Sequence, residues 1–294
     1  FLWGMIDIDW GISDMGIYGF TVGADGTITA SLSYLFDSGL SLFSYLVSGN
    51  HIFVYVLLDN SGTGSLVSLE ISGSTITKKD ELNLTGEIYD MAVNGNDLFL
   101  AYASSNDDYG VKIIDISNIS SISEKGSIAT KHRPNCLKVS ESELFAGTNE
   151  TVTNTDGNWY IEAYQLNSPY SYLTETTGSG LVWDIEYINN VLLASTTGGC
   201  VHLINWLLSQ FELGPVCHSP GSGEMTTTGT DEDGNGTVYT REGIGYVNCF
   251  SGSSKKQYDW RDHSREAEQE KRIMGSYGHV YFYGDYGIVS QSYR

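Results

Sequence analysis

The densest run of metal-ligand residue types in the chain is TDEDGNGTVYTRE, residues 230–242. Asp231, Asp233, Asn235, Gly236 and Glu242 fall at positions 1, 3, 5, 6 and 12 of a calcium-binding EF-hand loop. That loop closes on its ion only when helices flank it and the last Glu curls back to the metal. Here SGEMTTTGT precedes the loop and GIGYVNCF follows it, both Thr- or Gly-rich with β character. If residues 237–240 are extended, the path from Gly236 to Glu242 spans about 20 Å. Glu242 then cannot reach an ion held by the two aspartates, and the EF-hand reading fails. What remains is a weak calcium site at Asp231, Asp233 and Asn235, or more plainly a tight turn. Asn94-Gly95-Asn96 has the same turn chemistry with no carboxylate at these three positions.

Other chemistry is poorly supported. The six histidines, among them His202, His218 and His263, form no spaced cluster. Cys136, Cys200, Cys217 and Cys249 have no CxxC spacing, which argues against zinc and dithiol chemistry. A Cys200–Cys217 or Cys217–Cys249 disulfide and buried free thiols both stay open. No Gly-x-Ser-x-Gly elbow and no phosphate-binding glycine loop is present. No catalytic residue is therefore assigned and no cofactor is expected beyond weak calcium. The formal charge of −21 excludes nucleic acid as a natural partner, because phosphate binding needs clustered Lys and Arg. No apolar run approaches a membrane span.

The elements that must hold these residues are strands. FSYLVSGNHIFVYV, IYDMAVNGNDLFLAY, NCLKVSESELFAG and VWDIEYINNVLLAS share one form: apolar strand, tight polar turn, apolar strand. Their turns end at Asn50, Asn96, Ser142 and Asn190, spaced by 46, 46 and 48 residues. The same step reaches Gly236 and, in shortened form, Gly278; counted backwards it reaches Gly4. A third and usually a fourth strand follow each turn, as in GVKIIDIS and SISEKGSIA. Four antiparallel strands per repeat predict an all-β fold, a seven-bladed β-propeller spanning 1–294 as one domain. Blade turns fall near 4, 50, 96, 142, 190, 236 and 278. Second strands begin near Leu2, Ile52, Leu98, Leu144, Leu192, Val238 and Val280. The terminal blades are incomplete, residues 1–35 supplying three strands and 271–293 three more. Six blades result if the two partial blades merge.

Several blades carry a family resemblance. Residues 89–128, from YDMAVNGND to SEKGSI, resemble an LVIVD-type propeller repeat in the run IIDIS. VWDIEYINNVLLASTTGGCVHLINW, 182–206, resembles a WD-repeat blade, and DEDGNGTVYTREGIGYVNCFSG, 231–252, is similar to quinoprotein-like blades. The Trp-Asp pair that ends a WD repeat is replaced by Ile114–Asp115 and Asn205–Trp206. The resemblance implies a binding or scaffold role; for LVIVD-like chains it implies an extracellular or cell-surface setting. The rival it suggests is a calcium-dependent lactonase or hydrolase working in the central channel. Six residues before each turn marker stand Ser44, Asp90, Cys136, Asp184, Thr230 and Arg272, the expected channel ring. Asp90 and Asp184 would be its ligands, but a ring with Cys and Arg suits a hard cation poorly.

Turns joining second to third strands project from one face of a propeller. In this register they contain Trp10, Asp107, Asp108, Tyr109, Asp156 and Trp159. Acidic groups beside aromatic rings form the expected binding rim, suited to a protein, a basic peptide or a glycan.

Overall fold

A computed structural model describes residues 2–6, 16–22, 27–36, 40–58, 63–104, 108–150, 157–167, 169–188, 190–196, 200–218, 224–230, 236–240, 245–247, 280–283 and 286–289. Every regular element among them is a β-strand, so the all-β expectation holds. Two compact units divide the chain, Phe1–Pro134 and Asn135–Arg294.

The first unit contains three antiparallel sheets. A three-stranded sheet comes first: β1 (Leu2–Ile6), β2 (Gly16–Val22) and β3 (Ile28–Leu35). A four-stranded meander follows, with β4 (Leu40–Ser48), β5 (His51–Leu58), β6 (Thr63–Ser72) and β7 (Thr75–Thr85). The third sheet repeats it with β8 (Glu87–Asn94), β9 (Asp97–Ala103), β10 (Tyr109–Asp115) and β11 (Ser123–Ile128).

Two more such meanders lie in the second unit. One comprises β12 (Arg133–Val139), β13 (Glu143–Asn149), β14 (Asn158–Gln165) and β15 (Ser171–Ser179). The other comprises β16 (Val182–Ile188), β17 (Val191–Thr196), β18 (Cys200–Leu207) and β19 (Gln210–His218). β20 (Glu224–Thr230) pairs with β21 (Gly236–Thr240) alone. The last sheet joins β22 (Gly245–Val247), β23 (Val280–Tyr283) and β24 (Tyr286–Val289) in the order β22-β24-β23. The repeat register puts β22 beside β21; it pairs with β24 instead. A strand of three residues offers too few ladder bonds for sequence to fix its neighbour.

The second strands explain the packing. His51–Leu58 reads as a continuous apolar run because both faces of its sheet are covered. Ile52, Val54 and Val56 of β5 pack with Ile17 and Leu32 of the first sheet. The alternate residues Phe53 and Tyr55 pack with Ile88, Met91, Leu98 and Leu100 of the third. In the second unit, Phe145 and Trp159 pack with Ile185, Leu192, Ala194 and Trp206. A period of two sends neighbours to opposite faces, so a sheet stacked on both sides needs apolar residues at consecutive positions.

Five of the described sheets share one register. Ile52 faces Leu69, Leu98 faces Ile114, Leu144 faces Tyr164 and Leu192 faces Ile204. Leu2 faces Phe20 in the same way. At each of those third-strand partners the ladder to the fourth strand shifts register. The extra residue always sits on the fourth strand: Ser31, Lys79, Lys125, Leu173, and Gly214 or Pro215. A bulge bends its strand and increases the local twist. Five of the described sheets therefore bend their last strand at one and the same position.

Candidate functional site

The channel candidates Asp90 and Asp184 sit at a second recurring bulge, on the first strand. Register shifts there let Phe43, Tyr89 and Trp183 stand as extra residues, and Ser44, Asp90 and Asp184 follow them. The Asp90 Oδ1 accepts the Met91 main-chain N–H at 2.8 Å, and the Asp184 Oδ1 accepts that of Ile185 at 2.9 Å. Both carboxylates thus accept main-chain donors of their own strand beside the bulge. Cys136, the equivalent residue of the fourth sheet, is buried under Gly147.

Of the expected rim, Trp10, Asp107 and Asp156 lie outside the described residues. Asp108 is exposed in the β9–β10 turn, where its carboxylate accepts from Ser104 Oγ and, at 3.3 Å, from the Tyr102 hydroxyl. The Tyr102 hydroxyl is held above its ordinary pKa by burial and then by Asp108. Tyr109 donates its hydroxyl to the Lys131 carbonyl at 3.2 Å. Trp159 is not a rim aromatic. Its side chain is 1 % exposed, lies over Gly178 on the neighbouring strand and meets the His202 ring at 4.9 Å. A Cβ at Gly178 would lie 2.5 Å from the Trp159 ring, so glycine there makes the space that draws the indole inward. Asp231, Asp233 and Asn235 also lie outside the described residues; β20 and β21 flank them as strands, not helices.

Sequence reasoning missed a depression of about 640 Å³ in the second unit. It opens at the opposite end of the sheets from the β13–β14 turn, between the β12–β13 turn and the β18–β19 turn. Tyr187 and Trp206 line it, and Phe145 and Phe211 pack against Trp206, which meets Phe145 edge-on at 5.1 Å and Phe211 at 4.8 Å. Phe145 in turn lies 5.0 Å from Tyr187. Such edge and tilted aromatic contacts fix ring positions beyond what buried area supplies.

One wall is the turn 140–143. Ser140 Oγ accepts the main-chain N–H of Glu143 at 2.8 Å and donates to its carboxylate at 2.5 Å. Glu141 is exposed beside it. Asn190 and Tyr187 continue the lining, joined by a hydroxyl-to-amide bond of 2.9 Å. Burial, then the Glu143 charge, raise the Tyr187 pKa above its ordinary value.

The other wall is the hairpin Leu207-Leu208-Ser209-Gln210. Leu207 pairs with Gln210, and Leu208 and Ser209 both adopt left-handed backbone, φ 51° and 60°. Two positive φ values make a type I′ turn, which favours Asn-Gly; a leucine there costs about 1–2 kcal/mol. Leu208 is 99 % exposed and Leu207 51 %. The signal was present in the sequence: WLLSQF carries an apolar pair where other hairpins carry Gly49, Gly73 or Gly95.

No protein-family model and no curated protein matches the chain. The class defined by the fold and the site is thus an all-β protein of repeated four-stranded antiparallel sheets with an acidic, apolar-walled depression.

Proposed function

We propose that the chain is a seven-bladed β-propeller that works as a binding module for a cationic protein segment. The observation that carries this reading is the recurrence of one sheet, with the same fourth-strand bulge in five successive copies. Sheets bent at one common position suit a closed ring of blades, and rigid rings present their turns as recognition surfaces. The sign of the partner follows from the charge of −21, which draws basic groups to the surface and repels acidic ones. The channel-enzyme alternative needs free carboxylate oxygens converging on an ion. The bonds that Asp90 and Asp184 make to their own strands favour a structural task for them.

Fluorescence anisotropy with Arg- or Lys-containing peptides against the same sequences bearing Glu tests the function. Binding confined to the cationic set, weakening as salt rises from 50 to roughly 300 mM, is expected. Equal binding of both sets would refute it.

A further inference from the structure

We infer that the depression between the β12–β13 and β18–β19 turns docks an extended protein segment that places one Lys or Arg beside one aliphatic side chain. The inference rests on the binding-module reading and assigns it a place and a recognition chemistry. Leu208 is the first reason. The hairpin would form with less strain on Asn-Gly, yet it holds a leucine that touches solvent on all sides. With Leu207 beside it, the turn offers an apolar edge at the mouth of the depression.

Charge is the second. Glu141 and Glu143 line the opposite wall, and no Lys, Arg or His is among the described lining residues. Tyr187, whose pKa is raised by burial and then by the Glu143 charge, lines the same depression. A cation entering next to Glu141 and Glu143 would be attracted at close range, while an aliphatic neighbour covers Leu207 and Leu208. Hydroxyls of Ser142 and Ser209 and the Asn190 amide supply the hydrogen bonds an extended main chain needs. The base favours a peptide over a sugar. Trp206 is only 5 % exposed, and a sugar ring would need an open aromatic face to stack on.

The test uses the whole chain and an array of extended dodecapeptides that carry Arg or Lys two residues from Leu. Matched peptides replace the cation by Glu or the Leu by Ser. Wild type should select peptides with both groups, and Glu141→Lys or Leu208→Asn should each weaken binding by about tenfold or more. Leu208→Asn should at the same time raise the melting temperature, because Asn tolerates left-handed backbone. Loss of binding with a gain in stability cannot come from misfolding. Glu124→Lys, exposed on β11 in the other unit, should bind as wild type. If Asp108→Lys loses the peptides while Glu141→Lys and Leu208→Asn keep them, the binding module stands and this site is wrong. If no cationic peptide binds, both fail. Concentration-dependent dimers of wild type abolished in Leu208→Asn, without peptide selectivity, would make a second copy the occupant and overturn the inference.

Discussion

Single residues in this protein are tuned by what lies across the sheet. Tyr55 is completely buried and donates its hydroxyl to the Gly86 carbonyl. Burial, followed by the Glu87 charge, pushes its pKa up to about 12. The folded state therefore resists ionisation more than the unfolded chain, whose tyrosines titrate near 10. Stability from this group is intact below pH 10 and is lost as pH climbs through 12. Denaturant midpoints measured from pH 8 to 12 should fall over that window, and Tyr55→Phe should fall less steeply. At neutral pH the same variant should be about 1–2 kcal/mol less stable, because the Gly86 carbonyl loses its donor. Gly178 gives a second case. Gly178→Ala should cost about 1–3 kcal/mol, since the new methyl meets the Trp159 indole. Trp159 also shows where sequence reading fails at this scale. Its place beside the loop TNETVTNTDGN suggested a surface ring, and only the glycine directly opposite, nineteen positions on, reveals that it turns inward. Leu208 drew no reading from the sequence, because its exposure depends on the turn it occupies.

At the scale of elements, the strands and hairpins were legible because period-two alternation and Gly-Asn turns are local signals. The turns at Asn50, Asn96, Ser142 and Asn190 fall between β4–β5, β8–β9, β12–β13 and β16–β17 as expected. Bulges were not legible, since they depend on which residue of the neighbouring strand is skipped. The links between sheets were also hidden. Asn149 accepts the Val182 N–H at 2.8 Å and donates to the Val182 carbonyl at 3.2 Å, tying β13 to the start of β16. Asn135 adds bonds to the Val182 and Trp183 carbonyls at 3.1 and 3.3 Å. Removing the buried Asn149 amide leaves a main-chain donor unsatisfied, so Asn149→Ala should cost about 2–3 kcal/mol in urea unfolding. Asp90→Ala should cost about 1 kcal/mol through the Met91 N–H, and Asp90→Asn less, because an amide oxygen still accepts. An Asp90 that holds a channel ion would give the opposite pattern, with stability rising on added calcium in wild type and not in either variant.

For the whole molecule, the proposed ring follows from one recurring sheet. The repeat of about 46 residues was readable from turn spacing alone, whereas ring closure depends on residues far apart in sequence, for which local patterns carry no signal. The bulge at Leu69, Ile114, Tyr164 and Ile204 recurs at one place in the repeat, as the proposed ring requires. The measurement that tests this most directly is an experimental structure of the whole chain, read for the rotation relating successive second strands. The Cα atoms of Ile52, Leu98, Leu144, Leu192, Val238 and Val280 should superpose under one repeated rotation of about 51° around a common axis, as seven blades demand. A rotation near 60° would make the ring six-bladed, and sheets that share no axis would contradict the propeller altogether.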